Sequence, residues 1–167
     1  MKNLLLIAII VLGFSGVSFG QEKANATSSA TIVTPISIVK VNNMNFGNVA
    51  VQSTTAGTVV LTPASSRTAT AGVTLPATIG TVSAASFTVA GTAGYTYSIT
   101  LPITALTITS GSNTMTVTSF TSTPTPTGIL TGGTQTLSVG ATLNVGAAQA
   151  AGLYVSATPF DVIVNYN

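Results

Sequence analysis

Side-chain character alternates with a period of two along almost the whole chain, and no helical stripe interrupts it. Tyr95, Tyr97, Ile99 and Leu101 alternate with Thr96, Ser98 and Thr100. Phe160, Val162, Val164 and Tyr166 alternate with Asp161, Ile163 and Asn165. Phe87 and Val89 sit between Ser86, Thr88 and Ala90, and Met115 and Val117 sit between Thr114, Thr116 and Thr118. Successive side chains of an extended chain point to opposite faces, so each run presents one apolar and one polar face. β-Branched Thr and Val suit that backbone. Turn residues punctuate the runs at Asn42-Asn43, Ala56-Gly57, Pro63 to Ser66, Gly80, Gly91 to Gly94, Gly111 to Asn113, Gly132-Gly133 and Gly146. The spacing predicts about eight to ten short strands in an all-β, largely antiparallel sandwich or small barrel.

Four segments depart from the pattern. Lys2, the apolar run Leu4 to Phe14 and the small residues of Ser18-Phe19-Gly20 read as a secretory signal segment over residues 1–20, with cleavage before Gln21. The apolar run is too short to span a bilayer, so the expectation is an exported protein, secreted or at the cell surface, with no membrane anchor of its own. Residues 21–29 are small and polar and read as a flexible N-terminal extension ahead of one domain over residues 30–167. Pro35 interrupts the apolar run Thr31 to Val39, which argues for an edge strand, a bulge or a change of sheet there. Ser119 to Gly128 is rich in Thr, Ser and Pro and reads as an extended loop.

Charge is scarce. Beyond the signal segment only Glu22, Lys23, Lys40, Arg67 and Asp161 are charged, and the chain has no Cys and no His. Ser-His-Asp and Cys-His catalysis are therefore ruled out, and zinc, copper and haem lack their usual ligands. Glu22 and Asp161 are the only carboxylates for acid–base work, and Glu22 lies in the extension. No basic patch exists to neutralise phosphates, so nucleic acid is not an expected partner. The expectation is a non-enzyme with no cofactor and no metal. Low charge also removes a main device that keeps sheet edges apart, so association is expected.

Weaker patterns have plainer explanations. Asn42, Asn43, Asn45 and Asn48 cluster without the carboxylates a calcium site normally uses, and turn chemistry accounts for them. Thr114, Thr116 and Thr118 project from one face, as Thr ranks that bind ice do, but Thr is also the favoured polar residue for an outer sheet face. Tyr95, Tyr97 and Tyr154 are candidates for a sugar-stacking platform, although alternation puts Tyr95 and Tyr97 on the core side. A transmembrane barrel would need aromatic girdles and longer strands than these.

Several motifs in order carry a resemblance. They are Ala30-Thr31-Ile32-Val33-Thr34-Pro35-Ile36-Ser37-Ile38, Met44-Asn45-Phe46-Gly47-Asn48-Val49, Ala85-Ser86-Phe87-Thr88-Val89-Ala90-Gly91 and Tyr95-Thr96-Tyr97-Ser98-Ile99. Leu137 to Leu143, Ala151 to Tyr154 and the closing Phe160 to Asn167 follow. Together they resemble the bacterial secreted domain family DUF4402 over roughly Ala30 to Asn167. The layout is similar to that of spore-coat-U and archaic chaperone–usher pilins, although the disulfide often found there is absent. The resemblance implies an immunoglobulin-like antiparallel β-sandwich that serves as a structural subunit of a surface filament. Its implied partners are copies of itself or related surface subunits, with a periplasmic chaperone and an outer-membrane usher. Strand donation would place subunit contact in the extension, at Asn25, Thr27, Thr31, Ile32 and Val33. The alternative expectation is a self-contained adhesin or carbohydrate-binding module.

Overall fold

The structure is a computed structural model that describes residues 20–167, so the signal segment expected over residues 1–20 lies outside it except for Gly20. The chain divides into one unit that ends at Ile32 and a body of Val33–Asn167. Gly20 to Ile32 carries no strand and is exposed throughout.

The body is built from strands, with no helix among the described residues. In chain order they are β1 (Ser37–Asn42), β2 (Asn45–Phe46), β3 (Ala50–Val51), β4 (Gly57–Leu61), β5 (Arg67–Ala71), β6 (Val73–Thr74), β7 (Val82–Ser83) and β8 (Ala85–Ala90). Then come β9 (Thr96–Thr100), β10 (Leu106–Ser110), β11 (Asn113–Thr123), β12 (Thr127–Ile129), β13 (Thr134–Val145), β14 (Val155–Ser156) and β15 (Ile163–Tyr166). Five of these are two-residue pieces, which is why the elements outnumber the strands expected from the sequence.

Pairing is antiparallel throughout. The large sheet runs β1-β8-β13-β11-β10-β14, with β4 and then β5 branching from β13. The small sheet runs β12-β9-β15. The order β1-β8-β13-β11, facing β9 and β15, is that of an immunoglobulin-like sandwich. Pro35 stands just before β1, which is an edge strand, in keeping with a residue that cannot donate to a ladder.

Strand β13 organises the molecule. One flank pairs with β11 along most of its length. The other pairs first with β8, through Thr134–Val139, and then with β4, through Ala141–Val145. Gly140 sits at the changeover, where a Cβ would collide with the Leu61 carbonyl. Inward-facing Leu137, Val139, Ala141, Leu143 and Val145 therefore serve two core clusters in sequence. The first gathers Val89, Tyr97, Leu130, Leu137 and Val164 under the small sheet. The second gathers Val59, Val73, Val117, Leu143 and Val145.

The loop expected over Ser119 to Gly128 is corrected. Strand β11 continues to Thr123, and β12 begins at Thr127. Ser119 takes a positive φ of 52°, and the register shifts between Thr118 and Thr121. That bulge absorbs an extra residue and lets the Thr/Ser run keep pairing with β13. Ser122 is buried, with its hydroxyl donating to the Pro124 carbonyl at 2.8 Å. Composition alone reads as a loop because it carries no sign of the partner strand. The turn expected at Gly57 is likewise the first residue of β4.

Candidate functional site

Strands β1, β5, β12, β14 and β15 each leave one edge without a partner strand among the described residues. Strand β1 ends the large sheet, and β15 ends the small one. The chain enters β1 from Thr34 and leaves it toward Met44. It enters β15 from Phe160 and ends it at Tyr166. Thr34 lies beside Tyr166, whereas Met44 and Phe160 line one cavity, so the two edges run in opposite directions.

At the Tyr166 end the space between the edges is bridged. The Thr92 amide donates to the Tyr166 hydroxyl at 2.7 Å, and that hydroxyl donates to the Thr34 carbonyl at 2.7 Å. The Thr34 amide donates back to Thr92 Oγ1 at 3.0 Å. Gly91 makes room for this latch, since a Cβ there would collide with the Tyr166 hydroxyl. Tyr95 packs edge-on against Tyr166, with ring centroids 5.5 Å apart.

At the other end the layers part. A groove of about 1030 Å³ opens there, and its lining reaches Lys40 on one side and Phe160 on the other. The large sheet supplies an apolar floor that includes Phe87, Ile108, Met115 and Leu143. Asn42 to Val51 forms one wall, and Gln149 to Ser156 forms the opposite wall. Ile108 and Met115 are only half-buried, although both lie on the inward face of their strands.

Arg67 fixes the first wall. Its guanidinium donates to the carbonyls of Phe46, of Asn48 at 2.8 Å and of Ile79 at 3.2 Å. The Asn48 amide donates to the Ile79 carbonyl at 2.8 Å. One side chain thereby ties β2 to the segment before β7. The sequence marked Arg67 only as one of few charges, and nothing in its neighbours signals this role.

Of the residues expected to make subunit contact, Asn25, Thr27, Thr31 and Ile32 are exposed and outside any strand. Val33 is half-buried at the root of the body. The tyrosine platform does not form. Tyr97 is fully buried, its hydroxyl donating to Gln135 Oε1 at 2.9 Å, and burial pushes its phenol above the usual value. Tyr154 is held by Gln149 and by the Ala150 carbonyl, both at 2.8 Å.

The outer face of the large sheet gathers hydroxyls that are far apart in sequence. Thr107, Thr116, Asn144, Thr58 and Thr70 stand opposite one another across five strands. Within the row, Thr58 and Thr70 share a 2.7 Å hydrogen bond, and Asn144 donates to Thr116 Oγ1 at 3.3 Å. The row satisfies much of its own hydrogen bonding.

The family described as a domain of unknown function, DUF4402, matches residues 36–166. The chain belongs to the DUF4402 family. The match runs from just before β1 to the last residue of β15, so it takes in the β1 and β15 edges and the groove of this DUF4402 body. Comparison with curated proteins and with solved structures gives no match.

Proposed function

We propose that this DUF4402 protein is an exported structural subunit of a surface filament, in which the N-terminal extension of one copy adds a strand to the next. The observation that carries the reading is the open second layer. Two unpaired edges, β1 and β15, stand beside an apolar groove whose lining takes in Lys40 and Asn42 of β1 and Phe160 ahead of β15. An added strand would pair main-chain groups that are otherwise left to water, and its alternate side chains would enter the groove. Complete burial of an apolar side chain contributes about 1.5–3 kcal/mol, so half-buried Ile108 and Met115 still have a substantial share to gain.

The two participating regions lie at opposite ends of the body. The extension leaves at Val33, next to the Tyr166 latch, while the groove opens beside Phe160, about 20 Å further along the sandwich. Contacts between unlike ends do not close on themselves and generate chains of subunits. The scarcity of charge suits such packing, and the signal-like residues 1–20 suit export. The pilin-like layout makes a periplasmic chaperone and an outer-membrane usher the matching assembly machinery. The partners are copies of the chain or related surface subunits.

The test compares the exported chain with a deletion of Gln21 to Thr31 by electron microscopy and size-exclusion chromatography. The expected result is filaments from the first and none from the second. Filaments of ordinary length from the deletion would defeat the proposal.

A further inference from the structure

The two ends of the space beside β1 and β15 differ, bridged by Tyr166 at one and open as a groove at the other, and the side chains of the extension also differ in size. Read with a period of two, one face of the extension carries Ala24, Ala26, Ser28, Ala30 and Ile32. The opposite face carries Lys23, Asn25, Thr27, Ser29, Thr31 and Val33. The first face is small for four positions and ends in a bulky anchor. The space beside β1 and β15 is crossed by the Tyr166 side chain at one end and opens into about 1030 Å³ at the other.

Building on the proposed strand donation, we infer that the extension of a second copy inserts with the Ala24-to-Ile32 face inward. Ile32 is seated in the wide cavity over Met115 and Ile108. Ala24 and Ala26 lie in the narrow part toward Tyr166.

Three observations support this register. The first is length. Ala24 to Ile32 spans about 26 Å when extended, enough to cover the about 20 Å from Phe160 to Tyr166 with Ile32 reaching past the mouth. The second is fit. A cavity left unfilled forfeits contacts over its whole lining, whereas a bulky residue forced into a narrow site strains it. Small side chains avoid strain in the narrow part, and Ile32 in the wide part regains some of the missing contacts with the lining. The third is connection. Only Val33 separates Ile32 from Thr34, which the latch fixes to its own body. An Ile32 seated at the mouth therefore leaves its parent body outside the groove.

Direction follows from placement. With Ile32 at the Phe160 end, the inserted strand runs antiparallel to β15 and parallel to β1. The opposite direction has one electrostatic argument. It would bring Glu22 and Lys23 of the extension toward Lys40, which lines the groove, and Asp161, the residue after Phe160. Exposed pairs of that kind contribute about 0.2–1 kcal/mol and are screened by salt, whereas full burial of Ile32 contributes about 1.5–3 kcal/mol. The apolar anchor wins.

The absence of cysteine makes the register directly measurable. Full-length exported chains carrying Ile32→Cys with Pro159→Cys would be oxidised and run on a denaturing gel. Chains carrying Ile32→Cys with Val164→Cys, which is on the inward face near the Tyr166 end, would be treated alike. The expected result is a ladder of covalent oligomers from the first pair and at least tenfold less from the second. In parallel, Ile32→Asp should cut polymer yield at least tenfold, while Thr31→Asp, on the outward face, should leave it within about twofold. A ladder only from the Val164 pair would overturn the direction. Polymer loss from Thr31→Asp with none from Ile32→Asp would overturn the face. In either case the filament reading would stand. Failure of the unaltered chain to polymerise would overturn that reading and this inference together.

Discussion

The two halves of the sandwich share β13 and differ in what covers them. Under the small sheet, Tyr97, Leu130, Leu137, Val139 and Val89 have no solvent exposure at all. Around the groove, Met44, Phe46, Leu106, Ile108 and Met115 remain half-buried. The inward residues of β13 are buried in both halves, but Leu106, Ile108 and Met115 on the neighbouring strands β10 and β11 lack a full covering layer beside the groove. Amphipathic alternation prepares an apolar face, and a second layer decides whether that face becomes a core. The sealed half also satisfies its polar groups internally. Gln135 Oε1 accepts from the Tyr97 hydroxyl and from the Ile129 amide, each at 2.9 Å. In the open half, the Arg67 guanidinium donates to three backbone carbonyls of the wall.

The contrast can be broken by mutation, starting where the effect is largest. Tyr97→Ala should destabilise the body by about 3–5 kcal/mol in urea titration, because it empties a fully packed site. A loss below about 1 kcal/mol would mean that the first half is not sealed. Arg67→Met should cost about 2 kcal/mol, since hydrogen bonds from a charged donor are lost at three carbonyls. The Asn48 amide should then exchange with deuterium faster, while amides of β9 should not. Equal acceleration in both regions would show that Arg67 supports the entire sandwich and not the groove wall alone.

Met115→Ala, in the monomer, should cost under about 1 kcal/mol, because this side chain already faces water across the groove. The same substitution should lower polymer yield more than it lowers monomer stability. A monomer loss comparable to that of Tyr97→Ala would close the gap between the halves.

The smallest effect is that of pH. Burial raises the Tyr97 phenol above its ordinary value near 10, so the folded state holds this proton more tightly than the unfolded chain. Its contribution is complete below pH 10 and declines as pH rises from there toward the folded value. Denaturation midpoints should fall over that alkaline window, and Tyr97→Phe should flatten the decline. An unchanged slope in that variant would assign the decline to other groups.

Much of the fold was legible because alternation is local. The inward set of the closing run, with Phe160, Val162, Val164 and Tyr166 more buried than Asp161, Ile163 and Asn165, follows from the order of residues alone. So does the inward placement of Phe87, Val89, Met115 and Val117. The edge position of β1 was signalled by Pro35. The run from Ser119 misled because its pairing depends on β13 and on a bulge at Ser119, and neither leaves a mark in composition. The latch was hidden for the same reason. Thr34, Thr92 and Tyr166 are widely spaced in sequence, and each alone is an ordinary strand or turn residue.

The sequence by itself determined an all-β chain with apolar and polar strand faces, almost no ionisable side chains and a small-residue extension, because each of these depends on residue identity and near neighbours. Only the tertiary structure decided which apolar face is covered, which edges stay unpaired and where Arg67 and Tyr166 fasten the walls. Those outcomes depend on cross-strand register and on the meeting of distant segments, and a period of two is the same whether or not a second layer lies above it.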